Sequence, residues 1–118
     1  MGVTTLVIQV ANPSRPSVTE SLEFTVDSGA VYSVVPAEIL RKLRIRQQKR
    51  ETFRLVNGST IVRWKGGASF KFREYVGFAD VIFGEEGDAI LLGALSLEAL
   101  GLALDPIKRA LKPMQLVL

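Results

Sequence analysis

The 118-residue sequence contains neither cysteine nor histidine. The lack of cysteine excludes disulfides, thiolate nucleophiles and cysteine zinc sites. The lack of histidine excludes catalytic triads that use imidazole and metal sites built on it. Carboxylates are therefore the acid–base groups that the sequence leaves available for catalysis.

The sequence also lacks a long hydrophobic run. Its most apolar stretch, Ala89 to Leu104, is interrupted by Ser96 and Glu98 and is too short to span a membrane. The first ten residues alternate in polarity and have no basic start, unlike a secretory signal. With 47% hydrophobic residues, the chain has enough apolar content for one core. We expect a single domain over residues 1–118, soluble and cytoplasmic, with no membrane partner.

Acidic residues are scarce in the middle of the chain. Between positions 41 and 73, Glu51 is the single acid among eleven Lys and Arg residues. Such a basic segment is one feature of nucleic-acid surfaces, and a nucleic-acid-binding β domain is the least favoured interpretation. Phe53, Trp64, Phe70 and Phe72 alternate with the charges as the core residues of strands do. We therefore expect a solvated hairpin and no nucleic-acid partner.

The pattern of the first half predicts strands followed by a short helix. Apolar residues alternate from Val3 to Ala11 and again up to Val26, separated by a proline-containing loop from Asn12 to Thr19. Strand-like composition resumes from Val31 to Val35. A helix from Pro36 to Leu43 follows, with Pro36 at its first position.

The second half is predicted to be mostly β. Asn57-Gly58 is expected to form a type I′ hairpin turn between Thr52 and Arg73, and Gly66-Gly67 a second turn or bulge. Further strands lead to an acidic turn from Gly84 to Asp88.

The C-terminal part is predicted to hold a short helix between strands. After the buried strand Ile90-Leu91-Leu92-Gly93, Ser96 is expected to cap a helical turn that ends at Gly101. Leu102 to Leu104 and Met114 to Leu118 are predicted to be terminal strands. Their apolar character calls for a partner surface.

Asp27 has a setting that the other aspartates lack. It follows the alternating segment Phe24-Thr25-Val26 and precedes Ser28 and Gly29, so it should lie where a strand ends and the backbone turns sharply. Taken alone, Asp-Ser-Gly is more often a hydrogen-bonded turn than a catalytic one. Residues 26–30 also align with residues 90–94 as a weak repeat, in which Asp27 falls opposite Leu91. The repeat carries its acid in one copy only.

Together these features resemble the retropepsin-like aspartic proteases. The resemblance covers most of the chain and rests on Asp27-Ser28-Gly29-Ala30 between apolar flanks, Pro36 at a helix start, Asn57-Gly58, and Leu91-Leu92-Gly93 before a short helix. It implies a mostly β, closed barrel-like subunit with an internal pseudo-twofold. It also implies an aspartic endopeptidase that cleaves extended polypeptides as a homodimer, with no metal or other cofactor.

The resemblance further assigns roles to the residues of the turn. Asp27 would be the catalytic acid, and since the chain offers one such acid, two copies must face each other to share a proton and activate water. Ser28 would hydrogen-bond across the dimer, or cap the turn locally. Gly29 would let the backbone come close to substrate, and the small Ala30 would leave room in the cleft.

The resemblance also predicts a flap over the active site, formed by Asn57, Gly58 and Ser59, with Gly66-Gly67 as the competing tip. The alternative function is a catalytically weak or inactive module of the same fold that dimerises or binds peptides, because a fold does not decide a function.

Overall fold

The computed structural model describes residues 3–115 and 117. Within those residues the chain forms nine strands and two short helices. Their bounds in chain order are β1 Thr5–Asn12, β2 Arg15–Val26, β3 Ser33–Pro36, α1 Ala37–Lys42, β4 Lys49–Arg54, β5 Thr60–Phe72, β6 Tyr75–Gly84, β7 Leu91–Leu92, α2 Ala94–Leu100, β8 Leu102–Asp105 and β9 Ala110–Pro113. In this part of the chain, no helix has the length and apolar character needed to cross a membrane.

The first seven strands form a sheet in the order β1-β2-β7-β3-β6-β5-β4, and a further pairing between β1 and β5 closes it. The long strand β5 makes this closure possible, because its first half pairs with β4 and its second half, around Phe70, pairs with β1 around Val10. The result is a closed barrel from which the β4–β5 hairpin projects. The predicted mostly β, barrel-like subunit is confirmed.

The barrel interior is filled by alternate residues of its strands. Phe24 of β2 and Phe70 of β5 are fully buried and meet edge to face, with ring centroids 6.2 Å apart. Leu40 of α1 and Leu97 and Leu100 of α2 cover the same core. Burying each large apolar side chain contributes roughly 1.5–3 kcal/mol. The alternation read from the sequence is therefore the pattern that builds the core.

The connection between β1 and β2 is tighter than predicted. The expected loop from Asn12 to Thr19 is wrong, because β2 already begins at Arg15 and Asn12 pairs with Arg15. The Asn12 side chain stabilises the turn by accepting the Ser14 N–H at 2.9 Å and by donating to the Arg44 carbonyl at 2.9 Å. Pro16 sits at the exposed start of the strand, where a missing N–H is tolerated.

Both predicted helices are present, with one error in how they begin. Pro36 is the last residue of β3 and the N-cap of α1, one position before the predicted start. Ser96 as the cap of α2 is wrong, since Gly93 is the N-cap and Ser96 lies inside the helix with its side chain buried. Gly101 ends α2 with a φ of 73°, as predicted.

The two glycine pairs behave differently. The hairpin turn at Asn57-Gly58 exists, but type I′ is wrong, because Gly58 has a φ of +88° while Asn57 does not have a positive φ. Gly66-Gly67 as a turn is also wrong, since both residues lie within β5, where they pair with Val81 and Asp80 of β6.

The C-terminal strands pair with each other. β8 confirms the strand predicted from Leu102 to Leu104, and it forms an antiparallel hairpin with β9. β9 ends at Pro113, before the strand predicted from Met114 to Leu118, of which Leu116 and Leu118 lie outside the described residues.

Candidate active site

Asp27 is the first residue after β2, and it is exposed at the surface of the chain. Its backbone N–H donates to the Leu92 carbonyl at 3.0 Å, and its carbonyl accepts the Ala30 N–H at 3.1 Å. The Gly29 N–H donates to Asp27 Oδ1 at 3.0 Å. The backbone of Asp27 is thus held from two sides while its carboxylate faces solvent. This is the sharp strand-end turn that the sequence predicted.

The segment around β7 supports this turn from below. β7 pairs in parallel with the end of β2, with Leu92 opposite Val26. The Ala94 N–H donates to the Ala30 carbonyl at 2.7 Å, and the Leu95 N–H donates to the Val31 carbonyl at 3.0 Å. Residues 27–31, hereafter the active turn, are therefore tied to residues 92–95 by a series of backbone hydrogen bonds.

Gly93 allows the two segments to approach this closely. A Cβ at this position would lie 2.5 Å from the Tyr32 carbonyl oxygen, which is closer than real Cβ contacts. The repeat noticed in the sequence places Gly93 opposite Gly29, and these two halves lie side by side in the fold. The halves differ in one respect, since β3 separates the active turn from α1 whereas α2 follows Gly93 directly.

A buried pair of hydroxyls links the same segments and was missed by sequence reasoning. Ser33 Oγ accepts the Gly93 N–H at 2.9 Å and lies 2.5 Å from Ser96 Oγ. Both serines are fully buried. Leaving a buried donor or acceptor without its partner costs about 1–3 kcal/mol. The pair therefore fixes α2 against β3 directly behind the active turn.

A cleft of about 790 Å³ separates the active turn from the β4–β5 hairpin. Asp27, Gly29 and Ala30 lie on one side of it, and Asp88 lies at its edge. Most of its other lining residues are apolar: Val31, Tyr32, Val34, Phe53, Leu55, Val56, Ile61, Ile82, Ala89 and Leu91. An exposed carboxylate thus borders an apolar groove of a size usual for ligand sites.

The predicted flap residues lie at the end of the projecting hairpin. Asn57 Oδ1 accepts the Ser59 N–H at 2.9 Å and the Ser59 hydroxyl at 2.6 Å, while Gly58 supplies the positive φ. All three residues are exposed, and their neighbours Leu55 and Val56 line the cleft in their place. The competing tip at Gly66-Gly67 is wrong, because that pair lies within the barrel part of β5.

The other predicted turn residues are grouped around Asp27. Ser28 is exposed, so its side chain is accessible from outside the chain. A Cβ at Gly29 would stand 3.3 Å from Asp27 Oδ1, tighter than most such contacts. Glycine here therefore keeps the space beside the carboxylate open.

Arg63 and Asp88 form a two-pronged ion pair at the edge of the cleft. Arg63 Nε donates to Asp88 Oδ2 at 2.8 Å, and Nη2 donates to Oδ1 at 2.9 Å. The Glu85 N–H also donates to Asp88 Oδ2, at 2.8 Å. The hydrogen bond from Arg63 lowers the pKa of Asp88, and that same bond raises the pKa of Arg63. Both charges are therefore favoured in the folded state.

A second group of contacts connects the hairpin to the segment after the active turn. The rings of Tyr32 and Phe53 meet edge to face at 5.4 Å, and Lys65 Nζ lies 5.6 Å from the centre of the Tyr32 ring. Lys65 also pairs with Glu51 at 2.9 Å and with Asp80 at 3.4 Å. Hydrogen bonds from Lys65 and Lys49 lower the pKa of Glu51.

A shallower groove of about 430 Å³ lies on the other side of Asp27. It is formed by the start of the chain and the β8–β9 turn, and its lining includes Val3, Leu104, Pro106 and Arg109. Asp27 therefore stands between two depressions in one surface. Among the described residues, no group of three or more acidic side chains has the arrangement of a metal site.

Comparison with known proteins identifies the fold. No protein-family model matches the chain, and no curated protein matches it in sequence. Among solved structures, the chain is similar to EIAV protease complexed with the inhibitor HBY-793, with a TM-score of 0.63 and 16% sequence identity. The match covers 99% of this chain and 94% of that chain. The subunit therefore has the fold of a retroviral aspartic protease.

Proposed function

We propose that the chain is an aspartic endopeptidase that hydrolyses extended polypeptide segments as a homodimer. The observation that carries the proposal is Asp27, an exposed carboxylate whose backbone is fixed by hydrogen bonds at the border of an apolar cleft. The fold, shared with EIAV protease over nearly the whole chain, supports the same function.

The chemistry of peptide hydrolysis explains why a second copy is needed. Two carboxylates a few ångströms apart cannot both ionise without a large cost, so they hold one proton between them. The ionised member takes a proton from water as the water oxygen bonds to the scissile carbonyl carbon, while the protonated member stabilises the developing oxyanion. Transfer of a proton to the amide nitrogen then allows the C–N bond to break. One chain supplies one such acid.

The surface around Asp27 is suited to meeting a second copy. Exposed apolar side chains lie in or beside the two depressions that flank Asp27, namely Val3, Val31, Val56 and Ile107. A twofold axis near the active turn would place the two Asp27 residues opposite each other and cover these side chains. Ser28, exposed beside Asp27, is positioned to hydrogen-bond across that axis.

The cleft also fits an extended peptide. Its apolar lining offers pockets for alternate side chains, and the edge of the hairpin offers backbone groups for strand pairing. The exposed tip at Asn57, Gly58 and Ser59 would then close over the bound segment and exclude water.

The test is digestion of a peptide library at mildly acidic pH by the wild-type protein and by Asp27→Asn. We expect cleavage by the wild type and a rate lower by about 10²–10⁴-fold in the variant, because the acid–base pair is lost. Glu74→Gln is the matched control, since Glu74 is an exposed acid in the β5–β6 turn. Sedimentation of Asp27→Asn should still find the dimer.

Full activity in Asp27→Asn would contradict the proposal. A dimer that binds peptides without cleaving them would instead favour the peptide-binding or dimerisation module.

A further inference from the structure

The β4–β5 hairpin extends beyond the barrel, so its position depends on more than sheet hydrogen bonds. The β5–β6 ladder runs from Phe72 opposite Tyr75 to Lys65 opposite Ile82. The part of β5 before Lys65 is paired with β4. The hairpin, defined here as residues 49–64, therefore needs side-chain contacts to hold its direction relative to Asp27.

Arg63 makes such a contact two residues beyond the last β5–β6 pair. Its two N–H groups reach the two oxygens of Asp88 at 2.8 and 2.9 Å. The side chains are only 14% and 22% exposed. A planar guanidinium bound at two points fixes an orientation as well as a distance. Shielding from solvent strengthens the interaction relative to a surface ion pair.

The other end of this contact leads to the active turn. Asp88 is held by the Glu85 N–H at 2.8 Å and lines the same cleft as Asp27. Two residues later, the Ile90 carbonyl accepts the Thr25 N–H at 3.0 Å, and the Leu92 carbonyl accepts the N–H of Asp27 itself. A short, hydrogen-bonded stretch of chain therefore connects the Arg63 contact to the backbone that carries Asp27.

The Tyr32–Phe53 contact attaches the hairpin through its other strand, β4. An edge-to-face aromatic pair contributes about 0.5–1.5 kcal/mol and tolerates several geometries. The contact through Arg63 differs from it because its two parallel hydrogen bonds permit one arrangement.

We propose that Arg63 and Asp88 are positioning residues, whose two-pronged ion pair holds the β4–β5 hairpin across the Asp27 cleft. Without the pair the hairpin opens more often, and a substrate in the cleft is held less well. The consequence for the substrate depends on the proposed function. The consequence for the hairpin does not.

The test is amide hydrogen exchange on the full chain, comparing the wild type with Asp88→Asn and Arg63→Lys. Asp88→Asn places an N–H₂ where a carboxylate oxygen accepted hydrogen bonds, and Arg63→Lys keeps the charge but removes the two-pronged geometry. Glu20→Gln is the control, because it removes the Lys42–Glu20 pair at 2.8 Å between α1 and β2.

We expect amides of residues 49–64 to exchange about tenfold faster in both test variants, because a hydrogen-bonded charge pair is lost. The amides of β1 and β2 should exchange as in the wild type, and Glu20→Gln should leave the hairpin unchanged. In a peptide-cleavage assay, KM should rise by about the same factor while kcat changes little.

Hairpin exchange equal to that of Glu20→Gln in both test variants would overturn the inference. Equal acceleration in the hairpin and the barrel would also overturn it, since the pair would then act on overall stability. A loosened hairpin with an unchanged KM would refute the step to substrate binding. Faster hairpin exchange in proteins that cleave nothing, wild type included, would support the positioning role and contradict the proposed function.

Discussion

Gly66 lets two segments meet at the base of the hairpin. A Cβ at this position would lie 2.6 Å from the Arg46 carbonyl oxygen and 3.1 Å from the Phe83 ring. The backbone carbonyl cannot rotate away as a flexible side chain would. The Gln48 N–H donates to the Lys65 carbonyl at 2.8 Å, so the segment before β4 lies directly on β5. Its neighbour Gly67 has open space, with no atom within 4 Å of an added Cβ.

We predict that Gly66→Ala and Gly67→Ala have different effects on stability. Gly66→Ala should lower the free energy of unfolding by about 1–3 kcal/mol, because the strand or the Arg46 segment must move. Gly67→Ala should be neutral or stabilise by about 0.5–1 kcal/mol, because glycine is unfavourable within a strand. Urea denaturation measures both values. Equal effects of the two substitutions would contradict this explanation.

Residues whose role is local could be identified from the sequence, and residues with distant partners could not. Asp27 was visible because the acid, the glycine and the apolar flanks are neighbours in sequence. Gly66 suggested a turn because its actual reason, the Arg46 carbonyl, lies in another segment. Ser96 suggested a helix cap, whereas its partner is Ser33, 63 positions earlier.

At the level of elements, the strands and helices were predictable from periodicity, but their connections were not. Alternating apolar residues located β1 and β2, and Pro36 located the start of α1 to within one residue. The β1–β2 turn was misjudged because Pro13 and Pro16 suggested a long loop, while the Asn12 side chain closes a short one. The β5–β6 turn was missed because Arg73, and no glycine, adopts its positive φ of 55°.

The attachment of the hairpin to the loop before β7 should depend on pH. Arg63 lowers the folded-state pKa of Asp88 below the ordinary carboxyl value of 3.8. The stabilisation from this pair is therefore complete above that value. It is lost as the pH falls towards the folded-state pKa, because the unfolded chain binds the proton more readily.

We predict that wild type exceeds Asp88→Asn in the free energy of unfolding by about 1 kcal/mol near pH 7, and by much less near pH 3. Urea denaturation at several pH values gives the difference. Glu20→Gln serves as the comparison, since the Lys42–Glu20 pair is more exposed. A difference between wild type and Asp88→Asn that grows on acidification would contradict the assignment.

At the scale of the whole molecule, the fold was predictable because its signals are spread along the chain in a fixed order. The Asp27 turn, the hairpin and the β7 segment each gave a weak indication, and the barrel brings all three around one cleft. The similarity to EIAV protease at 16% identity indicates that few residues need to be shared for this architecture. Association of two chains depends on surface fit between copies, which no pattern within one sequence describes.

The measurement that tests the central claim most directly is peptidase activity per subunit as a function of protein concentration, compared with the dimer fraction from sedimentation. If Asp27 is half of an active site, activity per subunit should fall on dilution in step with the dimer fraction. Constant activity per subunit at concentrations where sedimentation finds only monomers would contradict the account.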